Sequence, residues 1–339
     1  MKTGVNLGGW LSQFREYDPQ HFKTFITADD IQRVTNWGFD HVRLPIDYPM
    51  LEDDARPGVY KEDGFAYIDR CLDACKAAGL QLVLDLHKAP GFSFDTPNTN
   101  SLFSSRALQD RFVALWQAIA RRYPSEGPYL FFELLNEVFL PDSAPWNDLV
   151  RRTIAAIRQI DRKRWIIVGG NHHNAADQLD NLELFEDEHI IYTFHFYEPI
   201  IFTHQKAHWF AAAQDYDTEV NYPGECPGLA EFLQQNPHYQ SQFDRFVGVR
   251  LDREWVRAAV QPAIAFARRT GKPVYCGEYG AIDRAPMPSR LNWCRDATDI
   301  LNEAGIDHTY WTYKAMDFGL VDASGQVVSN ELVQIVSRA

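Results

Sequence analysis

Glu137 and Glu278 are the residues of this chain best placed to do chemistry. Each closes a run that reads as a buried strand, Tyr129-Leu-Phe-Phe-Glu-Leu-Leu-Asn-Glu137 and Pro273-Val-Tyr-Cys-Gly-Glu278. A carboxylate is costly to desolvate unless it is partnered or at work. Either glutamate alone is explained as the first polar residue after a strand, but the pair comes with company. Asn6, Arg43, His87, Asn136, His172, His195, Tyr197 and Trp311 sit at or just after other strand-like runs. Two carboxylates with Arg, His, Asn, Tyr and Trp suit the splitting of an acetal. One carboxyl protonates the leaving oxygen while the other attacks or stabilises an oxocarbenium-like sugar carbon. Arg43 and Tyr197 can keep one carboxylate ionised, Asn136 can bond a sugar hydroxyl, and Trp311 can stack on a pyranose face.

Other chemistries find less support. His87, His172 and His195 come from different strands without a compact metal-ligand pattern, and His204 and His208 lack the glutamate of an HExxH motif. No metal or other cofactor is expected. There is no GxSxG elbow, P-loop or GxGxxG, so serine hydrolysis, phosphoryl transfer and dinucleotide binding are disfavoured. Five cysteines without a CxxC spacing read as reduced thiols.

The elements that must position these residues alternate along almost the whole chain. Strand-like runs fall at 4–7, 41–44, 80–86, 129–135, 165–168, 190–196, 273–277 and 309–312. Amphipathic helical runs fall near 28–37, 65–78, 105–122, 146–160, 175–182, 254–269, 289–303 and 330–336. Eight such rounds predict a single α/β domain over 1–339, a (β/α)8 TIM barrel whose strand ends carry the site. The alternation lapses over 199–251, where aromatics and loop formers predict a subdomain inserted after strand six, on the catalytic face as a lid or a structural cap.

A formal charge of −13, from 46 acidic and 33 basic residues, argues against nucleic acid and anionic membrane partners. No apolar stretch is long enough for a membrane span, and the N-terminus lacks a signal-peptide core. The chain as written is expected in the cytoplasm, or secreted if a leader was removed. The pattern carries no signal for oligomeric state.

The residues above resemble glycoside hydrolase family 5, the cellulase family. The matching segments are Gly4-Val-Asn-Leu-Gly-Gly-Trp10, His41-Val-Arg-Leu-Pro45, Leu82-Val-Leu-Asp-Leu-His87, Leu134-Leu-Asn-Glu137, His195-Phe-Tyr197, Gly277-Glu-Tyr-Gly280 and Trp311-Thr-Tyr-Lys314. The resemblance implies a retaining endo-β-glucanase for β-1,4 and mixed-linkage glucans, with Glu137 as acid/base and Glu278 as nucleophile. It places Arg43, His87, Asn136, His195, Tyr197 and Trp311 around the sugar that is cut. An exo-β-1,3-glucanase or a β-mannanase would share this kit, and a non-catalytic glycan-binding barrel would lack the glutamates. Two departures stand out: Val138 where proline is frequent, and Lys88 directly after His87. Glu137 is expected to have a raised pKa from burial and the Glu278 anion, and Glu278 to be held ionised by Arg43.

Overall fold

The computed structural model describes residues 1–14, 16–96, 99–124 and 126–339. Eight parallel strands close on themselves in sequence order: β1 (Thr3–Asn6), β2 (His41–Asp47), β3 (Gln81–Lys88), β4 (Leu130–Glu133), β5 (Ile166–Gly169), β6 (Ile190–Phe196), β7 (Val274–Tyr279) and β8 (Asp307–Tyr310). The expected TIM barrel is therefore present. Helices return the chain between strands, and their ends follow local chemistry. The helix Glu62–Ala78 stops at Gly79, whose φ of 77° is cheap only without a Cβ. The helix Arg253–Thr270 starts where the Asp252 side chain accepts from the Trp255 amide.

Several expected elements differ: β2 runs on to Asp47, and β7 to Tyr279, which takes Glu278 into the strand. The fourth strand ends at Glu133, not at 135, because β5 pairs only with Phe132 and Glu133. Beyond it, Leu134 and Asn136 still donate their amides to the carbonyls of Ile167 and Leu86, but outside the regular strand. The eighth strand ends at Tyr310, which leaves Trp311 just beyond it. The expected helix at 175–182 is a 3-10 helix, Ala176–Asn181, entered through a left-handed stretch.

The barrel interior is layered by the two-residue period of its strands. Val83, Phe131, Ile167, Ile191 and Tyr275 form one apolar cluster, with Met1 and Trp165 packed against it. Two residues further along β3 and β4 stand Asp85 and Glu133, paired with each other in register and wholly buried. The run ending in Glu137 is therefore not uniformly apolar. Glu133 interrupts it, and a charged layer lies directly above the apolar one.

The segment 199–251 contains the short helices Ile200–Thr203, Ala211–Tyr216, Leu229–Gln235 and Gln240–Phe243. Its aromatic side chains pack on one another and join the main hydrophobic core. Tyr216 packs on Phe232 and Phe243, and Phe246 on Trp255.

Candidate active site

Arg43, fully buried on β2, organises the charged layer. Its Nε and Nη2 donate to the two oxygens of Glu133 at 2.7 and 3.0 Å, its Nη2 also meets Asp85 at 3.0 Å and Asn136 Oδ1 at 2.9 Å, and its Nη1 donates to Glu278 at 2.8 Å and Asn6 Oδ1 at 3.0 Å. Three carboxylates thus share one guanidinium. Asn6 returns its own amide protons to the carbonyls of Gly277 and Tyr310, tying the layer to β7 and β8. Glu133 and Asp85 were not picked out from the sequence. The signal was there, since a charge at an inward position of a buried strand needs a partner.

Glu278 reaches the mouth through a bulge. Phe194 pairs with Cys276 but His195 pairs with Glu278, so Gly277 is the extra residue. A Cβ on Gly277 would lie 3.0 Å from Thr193 Oγ1 and 3.2 Å from His195 Nε2, a space only glycine leaves. One oxygen of Glu278 accepts from Arg43, and the other accepts from the Tyr197 hydroxyl at 2.8 Å.

Glu137 arrives differently. Four residues past the end of β4, it has a φ of 45°, and such a left-handed non-glycine conformation costs about 1–3 kcal/mol. Its Oε1 accepts from His195 Nδ1 at 2.8 Å, and its Oε2 lies 3.7 Å from His173 Nδ1. His195 also stands 3.6 Å from Glu278, between the two carboxylates. Glu137, His195 and Glu278 each place one donor atom within 4.8 Å of the others.

That trio is compact enough to hold a cation, a possibility the strand positions did not suggest. The donors are already engaged, however: Arg43 and Tyr197 occupy Glu278, and His195 occupies Glu137. A metal would have to displace those bonds and face the guanidinium.

The remaining expected residues converge as well. His87 Nδ1 bonds Asp85 at 2.7 Å, and its ring lies parallel to Trp311 with centroids 5.8 Å apart. Gly8 allows the Trp311 ring its place, since a Cβ there would lie 2.8 Å from it. Asn136 Nδ2 is buried and has no partner among the described residues. Lys88 turns aside to pair with Asp95 over the Phe94 ring.

His172 does not join the site. It is exposed and packs on Phe139; His173, also exposed and on Phe139, brings its Nδ1 toward Glu137, and the buried Asn174 meets His195. All three residues are left-handed, with φ of 49°, 59° and 55°, and this backbone course decides which side chain enters. His204, read as part of a lid, packs edge-on against the Tyr197 ring at 4.9 Å.

The electrostatics of the cleft correct one expectation. Burial works against the charge of Glu137, yet hydrogen bonds from His173 and His195 hold its carboxyl below the usual range. Burial likewise disfavours a charged His195, but the carboxylates of Glu278 and Glu137 keep its pKa above the ordinary value. Glu278 is raised, first by burial and further by Glu137, against the pull of His195 and Arg43. The expected raised pKa of Glu137 therefore does not hold, while Arg43 does pull Glu278 toward its charged form without overcoming burial. Two histidines act on Glu137, and Arg43 is shared. Burial also raises Asp85 to about 6 and lowers His87 to about 4, leaving that imidazole neutral.

A closed (β/α)8 barrel with paired carboxylates at the ends of its fourth and seventh strands defines a glycosidase of the barrel type. The family model described as Cellulase (glycosyl hydrolase family 5) matches residues 3–317, and the chain belongs to that family. It is 46% identical over 337 residues to endoglucanase C of Acetivibrio thermocellus, covering 99% of this chain and 98% of the relative. It is 37% identical over 307 residues to cellodextrinase A of Ruminococcus flavefaciens, covering 89% and 82%. Among solved structures, endoglucanase Cel5A from the hyperthermophilic Thermotoga maritima superimposes with a TM-score of 0.76 at 24% identity, over 98% of this chain and 96% of that one. The last likeness speaks for the fold. With the family and the full-length relatives, the chain is a glycoside hydrolase of the endo-β-glucanase class.

Proposed function

We propose that this endo-β-glucanase cuts β-1,4 and mixed-linkage glucans by double displacement, with Glu137 as acid/base and Glu278 as nucleophile. The observation that carries the assignment is the carboxylate spacing. One oxygen of each lies within 4.8 Å of the other, near the roughly 5–5.5 Å of retaining enzymes and far below the roughly 6.5–9.5 Å that admits an inverting water. In the first step a Glu278 oxygen bonds the anomeric carbon as the glycosidic oxygen leaves with a proton from the Glu137 side. In the second, Glu137 takes a proton from water, which attacks the same carbon and frees Glu278.

The surroundings fit these roles. Esterification removes the Glu278 charge, one reason for the His195–Glu137 pair to hold its proton, so the pair becomes a better base at the moment one is needed. Arg43 and Tyr197 orient Glu278. The unpaired Asn136 amide is a donor for a sugar hydroxyl, and Trp311, braced by His87, a platform for the ring being cut.

The insertion 199–251 serves in this reading as a wall of the cleft. Trp209 is 50% exposed and lies against His204 and Phe318, both of which pack on Tyr197. An exposed indole linked to the nucleophile through the rings of His204 and Tyr197 suits a neighbouring glucosyl unit.

Proton NMR of freshly released sugar tests the mechanism. The β-anomer should appear first from lichenan or a cellooligosaccharide, and initial α-anomer would refute it. Carboxymethylcellulose and lichenan should be cut in preference to laminarin and mannan. Glu137→Gln without loss of hydrolysis would remove the proton donor from the scheme.

A further inference from the structure

Asn174 stands behind the acid/base and belongs to none of the roles assigned so far. It is wholly buried, and its Nδ2 lies 3.2 Å from His195 Nε2, on the far side of the imidazole from Glu137. Its Oδ1 has no partner among the described residues. The place is built for it. Gly169, at the end of β5, could carry no side chain, because a Cβ would lie 2.5 Å from Asn174 Oδ1. Asn174 itself takes the left-handed conformation that asparagine tolerates better than most residues.

The chain amide–imidazole–carboxylate has a chemical direction. When Nδ2 donates to His195 Nε2, that nitrogen must be unprotonated, so the single imidazole proton sits on Nδ1 and donates to Glu137 Oε1. Glu137 Oε2 is then left for the proton that goes to the leaving group. A second proton on His195 requires Nε2–H, which cannot face an N–H2; the amide must turn and offer Oδ1 instead. Every other group around His195 acts on this balance. Glu137 and Glu278 favour its charge, whereas Arg43 opposes it; Asp85 and His173 stand close enough to feel it.

We propose that Asn174 is a positioning residue for the reaction: its amide holds His195 as the neutral Nδ1–H tautomer and so keeps the dissociable proton of the pair on Glu137, ready for the leaving group. No atom is gained or lost. One proton passes from Glu137 Oε2 to the glycosidic oxygen, and His195 keeps its Nδ1 proton throughout. The inference rests on Glu137 being the proton donor.

Asn174→Asp keeps size and turn preference but can only accept from Nε2–H, and so holds the proton on His195. The rate of bond cleavage in a cellooligosaccharide should fall about tenfold or more, a fraction of what general acid catalysis supplies. The burst of dinitrophenolate from 2,4-dinitrophenyl β-cellobioside needs no proton and should be nearly unchanged. The alkaline limb of kcat/KM should move to higher pH. Equal losses on both substrates with an unmoved pH profile would mean a structural role and overturn the proposal, as would no loss on either. Nitrogen-15 NMR of histidine-labelled wild-type protein gives a check independent of any variant: it should show His195 protonated on Nδ1 and bare on Nε2 near the alkaline limb, and the reverse tautomer would overturn it. Should Glu137→Gln retain hydrolysis, the acid/base assignment fails instead.

Discussion

The two layers of the barrel interior share β3 and β4, where their residues stand two apart, and they obey opposite rules. Below, Val83, Phe131, Ile167 and Ile191 fill space and contribute through burial, joined by Tyr275, whose hydroxyl is bonded to His41 and Thr309. Above, Arg43, Asp85, Glu133 and Glu278 are just as inaccessible, yet contribute only as a connected set, because an unpaired buried charge is far costlier than an empty volume. The apolar layer closes the barrel, and the charged layer sits where closure has already excluded water. There a shared guanidinium and a raised nucleophile pKa become tools for catalysis.

If the layers divide labour in this way, damage to each should be read by a different instrument. Glu278→Gln should abolish turnover, with a loss of roughly 10⁴-fold or more in kcat on any glucan, while the melting temperature holds or rises because a raised buried carboxylate has been neutralised. A large fall in melting temperature would show that Glu278 supports the fold as well. Arg43→Met should damage both properties. It leaves Asp85 and Glu133 buried without their cation, a loss of about 3–5 kcal/mol in denaturant titration.

That variant also sharpens the pH dependence. In the wild type the nucleophile must be ionised, so activity should rise with pH through a Glu278 pKa above the ordinary carboxylate value. It should fall as the His195–Glu137 pair loses its proton, through a pKa above that of free imidazole. Removal of Arg43, a cation that lowers Glu278, should move the acid limb of kcat/KM further up and narrow the bell. An unmoved acid limb would detach Arg43 from the nucleophile.

Phe131→Ala should cost about 3–5 kcal/mol by leaving a cavity in the apolar layer, with kcat at moderate temperature within a few-fold of wild type. A large fall in kcat would mean that the layers are mechanically coupled. The smallest effect belongs to the rim. Trp209→Ala should raise KM for longer cellooligosaccharides about tenfold or less, in line with an aromatic contact of about 0.5–1.5 kcal/mol, and change little for an aryl cellobioside. Equal effects on short and long substrates would leave the insertion as a cap.

Most of the expected site assembled because its residues stand at corresponding ends of strands, and strand ends are visible as breaks in apolar runs. Arg43, His87, Asn136, Glu137, His195, Tyr197, Glu278 and Trp311 meet in one mouth. Glu133 and Asp85 were legible by the same logic but were passed over as parts of apolar runs. His173 and Asn174 were not legible. Neighbouring residues of similar character compete for one position there, and a left-handed backbone brings His173, itself still exposed, beside Glu137 and buries Asn174 against His195, leaving His172 outside the site. Nothing local in Asn-His-His-Asn announces such a course, which persists because the surrounding packing compensates for it.

The order of apolar and polar residues thus determined the eight βα rounds, the barrel and the pair of carboxylates at its mouth, since burial and the two-residue strand period act on each segment alone. The tertiary structure decided the protonation of that pair. It brought two histidines to Glu137, divided Arg43 among three carboxylates, and set a bulge at Gly277 beneath the nucleophile. A pKa depends on charges a few ångströms away, and those neighbours come from strands far apart in sequence.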